Sequence, residues 1–434
     1  MPLATTVLAA ADTLAAATGV LRRPLLPEPL LEDARRRTGL GDFGELDIME
    51  PLSRLLEACA TESDLSLVGR LATRWDVVRL LSNLLRMAEE ERLHPAIVRE
   101  PIERPIFITG LPRSGTTFLH RLMLEDPFNQ APRVWQTIFP YPLPGRREKR
   151  VQLVTRQLRS FELLAPEFRS LHPLDACSPQ ECSEITAHVF RSLRFDTNYQ
   201  IPSYRRWLDS DRQLPAYRFH RRFLQHLQHQ RTQVSEGSGG EESGRWVLKC
   251  PDHLFALQEL RKAYPDARVV FVHRDPMKVL LSLTRLTEVL RRPFNRRIDP
   301  RRIGREESAR WYEGTLRMMH AAEDGLFAEP VCHVHYLDLV TDPVNTVEGV
   351  YSHFGLQLDP DAAQRVARAV AEKPDGGYGH HVYKFEDHGL DEGSEREKFR
   401  PYMVNFGIET ESRRPRRPIG PLSGSLPAAR TGAR

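Results

Sequence analysis

The stretch Ile106-Phe107-Ile108-Thr109-Gly110-Leu111-Pro112-Arg113-Ser114-Gly115-Thr116-Thr117-Phe118-Leu119-His120 constrains the fold more than any other part of the chain. A short apolar run with β-branched residues predicts a buried strand, and a glycine-bounded loop follows it. Residues 117–124 then open a helix with Phe118, Leu119 and Leu122 on its apolar side. Glycines at 110 and 115 let the loop turn back, so that consecutive backbone N–H groups and the helix N-terminus converge on one cup. A cup of that kind selects an anion, and phosphate has the matching shape and charge.

The spacing Gly-x4-Gly followed by two hydroxyl residues is that of a nucleotide P-loop, with one departure. Where the ATP- and GTP-binding loop carries lysine, this chain has Thr116, and its positive charge stands three residues earlier at Arg113. Leu111-Pro112-Arg113-Ser114-Gly115-Thr116-Thr117 resembles the 5′-phosphosulfate loop of sulfotransferases that use 3′-phosphoadenosine-5′-phosphosulfate (PAPS). The resemblance implies that Arg113, Ser114, Gly115, Thr116, Thr117 and Phe118 hold the phosphosulfate, and that no metal is obligatory.

Two further segments resemble the same family. The run Arg268–His273 delivers His273-Arg274-Asp275-Pro276, and Ser282 follows Arg274 by eight residues on the next helix. A guanidinium at a strand end and a hydroxyl two turns into a helix close on one phosphate from two sides. That spacing is similar to the family's 3′-phosphate motif, which assigns Arg274 and Ser282 to the cofactor. Val334-His335-Tyr336-Leu337-Asp338-Leu339 before Asp342-Pro343 resembles its strand-to-helix turn, and by that match Tyr336 lies near the adenine. Residues 373–383 match the family's late glycine-containing element only vaguely.

The fold expected is α/β: a P-loop-type parallel sheet flanked by helices. Besides the first strand, residues 246–248, Arg268–His273 and 331–336 read as strands. Helices over 252–264, 276–290 and 343–354 follow them, the last closed by Gly355, which implies right-handed parallel crossovers. Residues 1–100 read as a helical N-terminal extension, clearest at Val77, Val78, Leu80, Leu81, Leu84 and Leu85. Residues 101–409 form the α/β domain and 410–434, rich in Arg, Pro, Ser and Gly, a disordered tail. Residues 127–233 carry few strand signals and are the place for an acceptor pocket, whereas 235–244 read as a surface loop.

Composition narrows the class. With 434 residues, 40% hydrophobic and 28% charged, the chain can bury a large core. Net charge is only +4, so a polyanionic small molecule accounts for the basic patches and nucleic acid is not called for. Five cysteines without a Cys-x-x-Cys pair point to reduced thiols and a cytoplasmic protein. The alanine-rich residues 2–20 lack a basic start and are broken by Asp12, so they predict an ordinary helix. No apolar run reaches the roughly 18 residues of a transmembrane segment.

Sulfuryl transfer in line to a nucleophile needs positioning, neutralisation of the leaving phosphate and removal of the acceptor's proton. Lys249, ending the second strand in Lys249-Cys250-Pro251-Asp252-His253, is the cation for the bridging oxygen, by resemblance to the family's strand-end lysine. The proton acceptor stays open between His253 and Glu181, because proline stands at 251 where cytosolic members carry their histidine. Gln136 occupies the region of the glutamate base of tyrosylprotein-type members and takes no proton. Histidines 333 and 335, and 380 and 381, lack the third ligand of a zinc site. The expected activity is transfer of a sulfuryl group from PAPS to a hydroxyl or amine of a small-molecule, lipid or carbohydrate acceptor. The alternatives are an ATP- or GTP-dependent kinase, with Asp275 as Mg²⁺ ligand, and a non-catalytic nucleotide-binding relative.

Overall fold

The central strand β1 (Ile106–Gly110) is buried along its whole length. The structure, a computed structural model, describes residues 3–142, 148–171, 173–211, 213–236, 244–372 and 384–411. After β1 come β2 (Asn129–Gln130), β3 (Arg245–Lys249), β4 (Arg268–His273) and β5 (Cys332–His335), all parallel and in the spatial order β2-β3-β1-β4-β5. Register is set by Ile106, which pairs with Val247 on one side and Arg268 on the other.

Near-continuous apolar strands are what a sheet covered on both faces requires. Phe107, Leu248, Val269 and Phe271 enter a core shared with Leu80, Leu81, Leu84 and Leu85 of the helix Leu67–Leu93. Ile106, Ile108, Val270 and Val272 enter the opposite core with Leu119, Leu122, Val347 and Val350. The helices of residues 3–93 thus form one covering layer, and Thr116–Met123 with Pro343–His353 belongs to the other.

Three boundaries differ from the sequence expectation. The helix read over 252–264 is two pieces, a 3₁₀ turn Pro251–Phe255 and a helix Leu257–Ala263. Ala256 at φ −147° breaks the run, and the carbonyl of Phe255, freed by the break, accepts from Arg317 Nη1 at 2.9 Å. Strand β2 consists of two polar residues that carry no strand signal, held by pairing to Arg245 and Trp246. Tyr336 does not close β5 but opens the helix Tyr336–Thr341. The loop expected over 235–244 falls for the most part outside the described residues, as do the match at 373–383, His380 and His381, and the tail from residue 412. Thr410 and Glu411, by contrast, are placed and bonded. No helix among the described residues is long and apolar enough to cross a membrane.

The cores enclose neutral histidines. His120 donates through Nε2 to the Val247 carbonyl at 2.9 Å, His188 through Nδ1 to that of Glu184 at 3.0 Å, and His220 Nδ1 meets the Tyr264 hydroxyl at 2.7 Å. Burial pushes all three down to about 3 from 6.5. The unfolded chain therefore binds protons below pH 6.5 that the folded chain refuses, and stability falls as pH falls. At pH 5.5 the loss is about 1.4 kcal/mol per histidine. Asp252, pushed up to about 7 by burial and by Glu181, has the opposite sign. Between pH 7 and 5.5 it offsets on the order of one histidine. Chemical denaturation at the two pH values should show a net loss near pH 5.5, and an unchanged midpoint would contradict the neutral assignment.

Candidate anion site at the carboxyl ends of the strands

The loop after β1 is shaped by backbone positions that few residue types tolerate. Gly110 has φ +146°, and a Cβ there would lie 2.4 Å from the Val272 carbonyl oxygen. Gly115 has φ +99°, with Tyr336 Cδ2 2.9 Å from its would-be Cβ. Between them Arg113 adopts φ +63°, a left-handed conformation unusual for a long side chain. The first intrahelical bond is Leu119 N–H to Gly115 O at 3.0 Å, so the N–H groups of Thr116, Thr117 and Phe118 face outward from the helix's first turn. Ser114 Oγ is fully buried with no hydrogen-bond partner among the described residues. Open N–H groups, an orphaned hydroxyl and room kept by two glycines fit a phosphate group. Phe118 is half-buried and packs into the core beside Leu122.

Strand β4 sets the second anchor directly beside this loop. Arg274 donates through Nη1 to the Arg113 carbonyl at 2.7 Å, and its guanidinium lies 3.7 Å above the ring of Tyr336. Arg113 donates through Nε to Ser282 Oγ at 2.9 Å. Arg113, the pair Arg274 and Ser282, and Tyr336, from three separate stretches of the chain, therefore form one contiguous cluster. Sequence reasoning missed its acidic member, Glu411, which accepts from Arg274 Nε at 2.9 Å and Nη2 at 3.0 Å.

Asp275 is the N-cap of the helix Pro276–Arg291. One carboxylate oxygen accepts from Met277 N–H at 3.0 Å and the other from Glu411 N–H at 2.9 Å.

Lys249, at the end of β3, is 3% exposed and reaches the loop helix. Its Nζ donates to Thr117 Oγ1 at 3.0 Å and pairs with the Glu181 carboxylate. Glu181 is held in place by its neighbours. Residues 132–135 and 176–180 are zipped together by Val134 N–H to Ser178 O at 3.0 Å, Trp135 N–H to Ala176 O at 3.0 Å and Gln180 N–H to Pro132 O at 2.8 Å. The following helix, Cys182–Thr186, is tied to the N-terminal layer by buried charges. Arg79 pairs with Asp76 at 2.7 Å and Glu184 at 2.6 Å, while Arg194 pairs with Asp76 at 2.6 Å and Glu184 at 3.3 Å. Burial opposes ionisation of Asp76, yet Arg194 and Arg79 pull it down to about 2. Glu184 thus belongs to a structural network, and Gln136 caps its own helix by accepting from Arg133 N–H at 2.9 Å.

His253 stands apart from that group. It packs edge-on against Phe107 at 5.2 Å, and its Nδ1 meets the Tyr217 hydroxyl at 2.7 Å. Burial, then His220 and Lys249, hold it well below the usual histidine range. Its Nε2 has no partner among the described residues, and it lines a small cavity with Cys182, Cys250, Asp252 and Tyr217. On β5, His333 accepts or donates at 2.9 Å to His273, whose ring stacks on Phe406, so this histidine pair is packed rather than open. Replacing Gly110 with alanine forces a carbonyl contact that only backbone movement relieves. We expect Gly110→Ala to cost at least about 2 kcal/mol in chemical denaturation. Unchanged stability would show that the loop geometry is not imposed by β4.

A model of the sulfotransferase family matches residues 105–360, which hold β1, the loop, Lys249, Arg274 and Tyr336. Among curated proteins the chain is similar to the omega-hydroxy-beta-dihydromenaquinone-9 sulfotransferases of Mycobacterium bovis and Mycobacterium tuberculosis. It is 24% identical to each over 279 residues, covering 61% of this chain and 65% of the relative, so it spans somewhat less than two thirds of their length. The solved sulfotransferase STF1 from Mycobacterium tuberculosis superposes with a TM-score of 0.74 at 30% identity, covering 87% of this chain and 99% of that one. STF9 from Mycobacterium avium gives 0.78 at 25% identity, covering 89% and 98%. With its parallel sheet, anion loop and strand-end cations inside the matched residues, the chain belongs to the sulfotransferase family.

Proposed function

We propose that this chain transfers a sulfuryl group from PAPS to a hydroxyl group of a small-molecule or lipid acceptor. The observation that carries the reading is the contact between the two anion seats, the Arg274 guanidinium lying 2.7 Å from the Arg113 carbonyl. A nucleotide with phosphates at both 5′ and 3′ positions matches that pair. The loop N–H groups, Ser114, Thr116, Thr117 and Arg113 hold the 5′ end, Arg274 and Ser282 the 3′-phosphate, and Tyr336 borders the base. When bound, the donor supplies an activated sulfuryl group with a phosphate leaving group. A hydroxyl-bearing lipid is the acceptor named for the curated relatives, which favours a hydroxyl acceptor here.

Lys249 delivers positive charge to the mouth of the loop, where the leaving phosphate gains negative charge. Of the two candidate bases, Glu181 is the one we infer, because it shares Lys249 with the loop and is 28% exposed at the mouth. His253 lies behind the strand with Phe107, where it orients Tyr217 and closes the floor of the cavity. Asp275 caps its own helix through Met277 N–H, and Thr116 stands where a nucleotide P-loop carries lysine, which together disfavour the kinase reading in which that carboxylate binds Mg²⁺.

Calorimetric titration tests the donor. Adenosine 3′,5′-bisphosphate should bind at least about 100-fold more tightly than ATP with Mg²⁺, a difference of roughly 2.7 kcal/mol. Preference for Mg-ATP would overturn the reading. For the base, Glu181→Gln should lower kcat about 100- to 1,000-fold with bisphosphate affinity retained, whereas His253→Ala lowers it less. The reverse order of losses would assign the proton to His253.

A further inference from the structure

The carboxylate on Arg274 comes from a segment that no sequence motif marks. Glu411 meets the guanidinium in the paired geometry that a phosphate would use, with contacts at 2.9 and 3.0 Å. Its backbone N–H is fixed by Asp275 at 2.9 Å, and the preceding Thr410 accepts from Arg396 Nη1 at 3.3 Å. The site is partly shielded, with the Arg274 side chain 19% and the Glu411 side chain 13% exposed. The remaining groups around it are the Tyr336 ring on one face, the Arg113 carbonyl on Nη1 and Arg396 at 3.8 Å from Asp275.

We propose that Glu411 is an internal competitor for the 3′-phosphate, occupying the Arg274 seat until a nucleotide bearing that phosphate displaces it. The inference rests on the reading of Arg274 as the 3′-phosphate anchor. A phosphate monoester carries close to two negative charges near pH 7 and presents three oxygens, against one charge and two oxygens for a carboxylate. It therefore has the means to take the guanidinium, at the cost of breaking the resident pair. A nucleotide with only a 5′-phosphate has no group to exchange at that seat and leaves Glu411 in place. Glu411 consequently lowers affinity for the bisphosphate alone, and arrival of that nucleotide releases the Glu411 backbone from Asp275 and loosens the residues before it.

The test compares the full chain with Glu411→Gln and Arg274→Ala, titrated with adenosine 3′,5′-bisphosphate and with adenosine 5′-monophosphate. Glutamine keeps the shape and removes the charge, so Glu411→Gln should tighten the bisphosphate about 5- to 10-fold and leave the monophosphate unchanged. Equal or weaker bisphosphate binding overturns the proposal. Arg274→Ala separates the two ideas. If it weakens the bisphosphate while Glu411→Gln has no effect, only the competition fails; if it leaves bisphosphate binding intact, the anchor assignment fails with it. Amide hydrogen exchange on the unmodified chain gives a second readout. Saturating bisphosphate should speed exchange in the peptide spanning residues 408–411, while slower or unchanged exchange overturns displacement.

Discussion

The structure depends on how closely β1 and β4 approach at their carboxyl ends. Gly110 runs so near Val272 that a single carbon on its α position would stand 2.4 Å from a carbonyl oxygen. That contact decides where the loop leaves the sheet. It brings the Arg113 carbonyl within 2.7 Å of Arg274 and sets Gly115 against Tyr336, which opens the helix after β5. One backbone approach therefore fixes three strands' worth of site residues, as expected where a parallel sheet reverses its strand order and opens a crevice.

Three groups of ion pairs stand in and beneath that crevice. Lys249 has Glu181, Arg274 has Glu411, and Arg79 with Arg194 shares Asp76 and Glu184. The partnerships differ in kind. The last is buried, with the Arg79 side chain 3% exposed, and its two guanidiniums hold Asp76 ionised; removing one would strand a charge away from water. The first two border the loop after β1, Lys249 through Thr117 and Arg274 through the Arg113 carbonyl.

What was legible in the sequence was local. The strand-loop-helix run, the four apolar strands and the spacing from Arg274 to Ser282 are properties of contiguous residues, and periodicity and glycine placement expose them. Strand β2 escaped because Asn129 and Gln130 are strand only through their pairing partners Arg245 and Trp246. The break at Ala256 escaped because a carbonyl freed there is satisfied by Arg317, distant in the chain. Glu181 and Glu184 stand three residues apart, and only the positions of Arg79, Arg194 and Lys249 make one a network member and the other a group facing the loop. Glu411 lies at the edge of a polar, proline-rich tail, where composition argues against any fixed contact.

The strand order also dictates the order in which this fold can be assembled. The central strand β1 leaves the ribosome early, yet its neighbours β3 and β4 are encoded after the long helical segment that ends at Glu236. Until residue 249 has emerged β1 exposes both of its edges, and until residue 273 has emerged one edge stays open and the glycine-bounded loop lacks the strand that shapes it. A nascent chain of this design therefore passes through a prolonged stage in which an unpaired apolar strand needs shielding, and the helices of residues 3–93 are the covering already synthesised by then.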